Sequence, residues 1–130
     1  MKEGKYIMAD VLVVEDNKVL NQAYKLILQK EGYDVRVAFN GQEGLEQARI
    51  KEPRLILLDM LMPTMNGIEF LQKFHPRKHP DTTVIILSNL NEDREVQRAL
   101  KLGAREYILK ANTSPQELVA LVQSATTAVQ

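Results

Sequence analysis

Five polar residues stand where short apolar runs end: Glu15, Asp16, Asp59, Ser88 and Lys110. The clearest case is "RLILLDMLMPTMNG", residues 54–67, where four apolar residues lead straight into Asp59. An ionised carboxylate is costly to bury without a partner. Such an acid either caps a loop or stands at a site that wants negative charge. Three carboxylates brought together repel one another, so a cation must sit among them or at least one pKa must rise. Hard oxygen donors without His or Cys suit Mg²⁺, with Mn²⁺ as the alternative cation. A lysine and a hydroxyl on the other side of such a cation make a site for a phosphoryl group. A carboxylate can itself be the nucleophile and become an acyl phosphate. Asp59 is the candidate.

Each residue alone has a plainer reading. Asp59 reads as a loop cap, Glu15-Asp16 as the acidic start of a helix, Ser88 as a turn or N-cap residue, and Lys110 as a solvated charge. Only their joint placement argues for chemistry, and that placement depends on the elements that carry them.

Short apolar runs alternate with helical patterns along the chain. Strands are predicted in "DVLVVED" (10–16), "DVRVAF" (34–39), "RLILLD" (54–59), "TVIILS" (83–88) and "REYILK" (105–110). The first intervening helix shows Leu20, Tyr24, Ile27 and Leu28 on one face, and Gly32 suits the position just past its end. "GQEGLEQARIK" (41–51) turns Leu45 and Ala48 inward, and Pro53 stops it. "NGIEFLQKF" (66–74) is a short helix, and "HPRKHPDT" reads as loop from its prolines. "NEDREVQRALKLG" has acids in its first turn and Gly103 at its end. The last helix, "SPQELVALVQSATTAV", opens on a capping box from Ser114 to Glu117 with Pro115 at its first position. Its inward stripe is Leu118, Leu121, Val122 and Ala125.

Strands alternating with helices predict an α/β fold, a parallel sheet doubly wound with helices on both faces. The first, third and fourth strands are nearly continuous apolar runs, as strands buried on both faces are. The second and fifth carry Arg36, Arg105 and Glu106 and suit edges. The predicted order is therefore 2-1-3-4-5, with its switch point between strands 1 and 3, where ligands bind at the carboxyl ends. That order gathers Glu15, Asp16, Asp59, Ser88 and Lys110 along one rim.

Composition sets the frame. The 130 residues suit one domain, and 45% hydrophobic with 26% charged residues is an ordinary globular balance. The 17 basic and 17 acidic residues cancel, and the sequence pI is about 6.7. No net field favours nucleic acid or an acidic membrane surface. Without cysteine, thiolate nucleophiles, disulfides and Cys-ligated zinc are excluded. "MKEGKYIMAD" has no apolar run long enough for a signal peptide, and nothing approaches a membrane span. The expectation is a cytoplasmic protein.

With these residues in hand, the chain resembles a response-regulator receiver domain of two-component signalling, of the chemotaxis-regulator kind. The resemblance rests on "VLVVEDN", "LILLDMLMPTMNG", "VIILSN" and "GAREYILKA" in this order and spacing, and covers roughly residues 9–128. It implies a flavodoxin-like fold and a signalling switch rather than an enzyme acting on small molecules. It implies that Asp59 accepts a phosphoryl group from a phosphohistidine on a sensor kinase or phosphotransfer protein. Glu15, Asp16, Asp59 and the backbone carbonyl of Leu61 would hold Mg²⁺. Ser88 would bond a phosphoryl oxygen, Lys110 would pair with the phosphoryl charge, and Tyr107 would be the switch aromatic, otherwise an ordinary edge-strand aromatic. Pro63 and Gly67 would shape the loop after Asp59. The face of helix 4, strand 5 and helix 5 would dock a downstream protein. No direct nucleic-acid or membrane contact is expected of these residues, and a phosphorylation-dependent homodimer stays open.

The departures from the family pattern are informative. The first acid is Glu15, a longer arm than the frequent Asp, and Ser88 replaces a frequent Thr. Ala111 follows Lys110 where many receivers have a cis proline. A cis bond before a non-proline costs about 2.5–4 kcal/mol, so a trans or strained link is expected. Leu61 and Leu90, two residues beyond Asp59 and Ser88, offer no polar group to orient water and imply a long-lived phosphorylated state. His75 and His79 lie between prolines that break any ligating helix. Two alternatives remain. An aspartyl-phosphate phosphatase would carry a second Asp where Leu61 stands, and a flavin module of this fold would not carry the acidic "EDNK" after strand 1.

Overall fold

The computed structural model describes residues 9–127. The signal-peptide reading of residues 1–8 and the last residues of the predicted final helix lie outside them. Five parallel strands form one sheet in the order β2-β1-β3-β4-β5. They are β1 (Asp10–Val14), β2 (Asp34–Ala38), β3 (Leu55–Leu58), β4 (Thr83–Ser88) and β5 (Glu106–Leu109). Five helices connect and follow them: α1 (Lys18–Lys30), α2 (Gly41–Ile50), α3 (Gly67–Phe74), α4 (Asp93–Lys101) and α5 (Pro115–Thr127).

Side chains alternate across the sheet, and the two faces have separate cores. Leu12, Val14, Ile56, Leu58, Val84 and Ile86 pack with Ala48 of α2, Phe70 of α3 and Ala99 of α4. Val11, Val13, Leu55, Leu57, Ile85 and Leu87 pack with Leu28 of α1 and Val122 of α5. Fully burying one such aliphatic side chain contributes about 1.5–3 kcal/mol. The three central strands are therefore the rigid part of the molecule.

Several predicted strand boundaries shift by one or two residues. Glu15, Asp16, Asp59 and Lys110 fall just beyond β1, β3 and β5, so the acids and the lysine begin loops rather than end strands. Hydrogen bonding still reaches the first of them: Glu15 N–H donates to Ala38 O and Asp59 N–H to Val14 O, each at 3.0 Å. Asn66 is the N-cap of α3, and a capping box with Glu69 closes that turn. The stretch expected to be loop holds one 3-10 turn at Pro76–Lys78, since Pro at the first position suits a helical turn's free N–H groups.

Arg36 marks an edge strand, as expected, but not because it faces water. Its guanidinium bonds both carboxylate oxygens of Asp10, at 3.2 and 2.8 Å, and the Gln47 carbonyl of α2 at 2.7 Å. A planar fork satisfied by a carboxylate and a helix-end carbonyl ties β2, β1 and α2 together. Arg36→Met should destabilise the chain by about 2 kcal/mol in urea unfolding, the scale of charge-assisted hydrogen bonds lost with one partner left behind.

Candidate functional site

Register places the acids. Val14 pairs with Leu58 across β1 and β3, so the next residues, Glu15 and Asp59, leave the sheet side by side. The carboxylates of Glu15, Asp16 and Asp59 offer oxygens that all lie within 4.8 Å of one another. Glu15 is 2% exposed and Asp59 5%. Burial, the largest cause, pushes both carboxyls above their usual range. Lys110 offsets part of this. Its Nζ lies 2.6 Å from Glu15 Oε1 and 3.4 Å from Asp59 Oδ1. Crowded carboxylates need a cation or raised pKa values, and the fold uses both. Lys110 was expected across from the acids; here it bridges two of them.

The remaining contacts fix geometry. Glu15 Oε2 accepts from Asn17 N–H at 3.1 Å, and Asp59 Oδ1 accepts from Leu61 N–H at 3.4 Å. Leu61 itself is 57% exposed beside this rim. A Cβ on Gly67 would stand 2.5 Å from Met60 Sδ and 2.9 Å from Met60 Cα. Only glycine lets α3 approach the loop that leaves Asp59. The Lys110–Ala111 bond is trans, since no cis peptide occurs among the described residues.

Ser88 and Tyr107 interact with each other and share a third partner, Leu90, that sequence spacing did not link to them. The buried Ser88 hydroxyl accepts from Leu90 N–H at 3.2 Å. The Tyr107 hydroxyl donates to Leu90 O at 2.6 Å. Leu90 is held by its backbone at both ends, one to β4 and one to β5. Tyr107 is half-buried, and that burial pushes its phenol up. Tyr24 of α1 is a further neighbour of the acids; burial, then the charges of Glu15 and Asp59, push its phenol up to about 12.

His79 plays a structural part. Its ring stacks on Phe74 with centroids 4.4 Å apart, and it pairs with Glu52.

An all-oxygen set of three acids with one bridging ammonium keeps an excess of negative charge. That donor set fits a hard divalent cation. Carboxylates and lysine just past the carboxyl ends of β1, β3 and β5 line one rim of the sheet.

A family model for the response regulator receiver domain matches residues 11–123. The chain belongs to the response regulator receiver domain family. The transcriptional regulatory protein SrrA of Staphylococcus aureus is 33% identical over 115 residues, which is 88% of this chain and 46% of that relative. The receiver domain thus spans about half the length of this curated relative. A receiver domain protein (CheY-like) from Methanospirillum hungatei JF-1 superposes with a TM-score of 0.87 at 28% identity, covering 93% of this chain and 95% of that one. The Francisella response regulator 1452 receiver domain superposes at 0.82 with 32% identity, covering 94% and 99%. Among the described residues no helix is long and apolar enough to cross a membrane.

The buried acids carry a stability cost that can be measured. Below the ordinary aspartate pKa of 3.8, Asp59 is protonated folded and unfolded and costs nothing. Above its raised folded pKa the cost is fully present. In metal-free buffer at neutral pH, Asp59→Asn should raise Tm by a few degrees, equivalent to about 1 kcal/mol. That gain should shrink as pH falls towards 4, followed by thermal melts across pH.

Proposed function

We propose that this receiver domain is a phosphorylation-driven switch in which Asp59 is the phosphoacceptor. The observation that supports this most is the placement of Asp59 beside Glu15 and Asp16 with Lys110 at 3.4 Å. The donor is a phosphohistidine on a sensor kinase or phosphotransfer protein. An Asp59 carboxylate oxygen forms the new O–P bond as the P–N bond breaks. The electron pair stays on the imidazole nitrogen, which takes up a solvent proton. Leu61 N–H and Lys110 both address Oδ1, so Oδ2 is assigned as the attacking oxygen. Lys110 favours the ionised, attacking form of Asp59 and so opposes the effect of burial. Glu15, Asp16, Asp59 and the Leu61 carbonyl would hold Mg²⁺, which supplies charge neutralisation on the transferring group. The chain acts only on its own phosphoryl group.

The readout runs through Leu90. Phosphorylation places strong acceptors near the buried Ser88 hydroxyl. Ser88 turning to a phosphoryl oxygen would release Leu90 N–H. Leu90 would then lose its bond to Ser88 while its carbonyl still accepts from Tyr107. A two-state element of this kind biases the α4–β5–α5 face towards a downstream protein. The regulatory role in SrrA's name is stated of that whole relative, and this chain would supply the signal-receiving part.

Acetyl phosphate with Mg²⁺ should add one phosphoryl group, read by intact-protein mass spectrometry. The adduct should be absent in Asp59→Asn. No adduct, or one that persists in the variant, sinks the reading. Leu61 and Leu90 give attacking water no polar partner, so radiolabel on Asp59 should persist for minutes or longer after donor removal.

A further inference from the structure

Asn21 lies on α1 and is 1% exposed. Its Nδ2 donates to the Glu15 carbonyl and to the Ala38 carbonyl, each at 3.0 Å. Two facing carbonyls require the amide N–H₂ there, so the orientation of the amide follows from chemistry. Ala38 O accepts a second bond from Glu15 N–H at 3.0 Å. The backbone of Glu15 is thus held on both sides, its N–H by Ala38 and its C=O by Asn21. That C=O belongs to the planar peptide unit leading into Asp16. The amide of Asn21 therefore sets the plane from which the Asp16 side chain departs.

The other half of the amide has no such use. Asn21 Oδ1 is buried with no hydrogen-bond partner. An unpaired buried acceptor costs stability, and packing alone would favour an apolar residue on this inward face. Local costs of this kind gather at functional sites. The residue retains its place for its two donors, and both donors serve the loops that carry and flank the acids.

We propose that Asn21 is a positioning residue for the cation site, pinning the Glu15–Asp16 peptide to the end of β2 so that the acids stand ready beside Asp59. This rests on the metal-assisted reading above. Residues that orient metal ligands typically cost about 10–100-fold in affinity when lost. Mg²⁺ titrated into the full chain by calorimetry should bind about 10-fold or more weaker in Asn21→Ala. Asn21→Ser, which keeps one donor, should fall between. Phe74→Leu, in the core on the sheet face away from α1 and α5, should lower Tm without changing Mg²⁺ affinity. A folded Asn21→Ala that binds Mg²⁺ like the wild type overturns the inference and leaves the cation reading intact. If Asn21→Ala does not fold, unchanged affinity in Asn21→Ser overturns it. A wild-type chain that binds no Mg²⁺ overturns the cation reading and this inference with it.

Discussion

Lys110 reaches Glu15 at 2.6 Å and Asp59 at 3.4 Å, and that bridge lets the end of a buried sheet carry acids at all. Two nearly buried carboxylates side by side would otherwise repel and lose their hydration without return. One ammonium cannot balance three acids. The rim keeps a surplus of negative charge and two carboxyls with raised pKa values. Such a site stays poised: it is stable enough to fold and unbalanced enough to favour a divalent cation. The rest of the fold serves this arrangement. The fully buried aliphatic residues of β1 and β3 fix the register that brings Glu15 and Asp59 together. Gly67 lets α3 close on the loop that follows Asp59.

A second set of contacts gathers on Leu90. Leu90 is held through its N–H by Ser88 and through its C=O by Tyr107. Two bonds on one residue, at 3.2 and 2.6 Å, join the inner strand β4 to the edge strand β5. The Tyr107 hydroxyl and Ser88 also interact directly. In the proposed switch, an exchange of partners at Ser88 would reach Tyr107 through Leu90 and through their own contact.

Much of the fold was legible because period and burial carry it. "VLVV", "LILL" and "VIIL" are continuous apolar runs, and only strands with helices on both faces need such runs. Arg36, Arg105 and Glu106 marked the edges, although Arg36 earns its place by clamping Asp10 and α2. Strand ends were less legible. A residue just past a strand can keep one ladder bond, as Asp59 does with Val14, and its type does not reveal where pairing stops. Asn21 was missed. It stands seven residues before the inward Leu28, which was a signal, but polarity argued it away from the core.

The amino-acid sequence by itself determined the α/β class, the strand order, the family and the candidate set of Glu15, Asp16, Asp59, Ser88 and Lys110. These follow from local patterns and from the spacing of polar residues between apolar runs. Only the tertiary structure decided how those residues meet. Lys110 sits among the acids rather than opposite them, Leu90 links Ser88 to Tyr107, and Asn21 holds the Glu15 backbone. Each of these is a contact between segments far apart in the chain or between a side chain and a backbone atom. No periodicity encodes such contacts, because their directions are set only when the packed elements fix every neighbouring side chain in place.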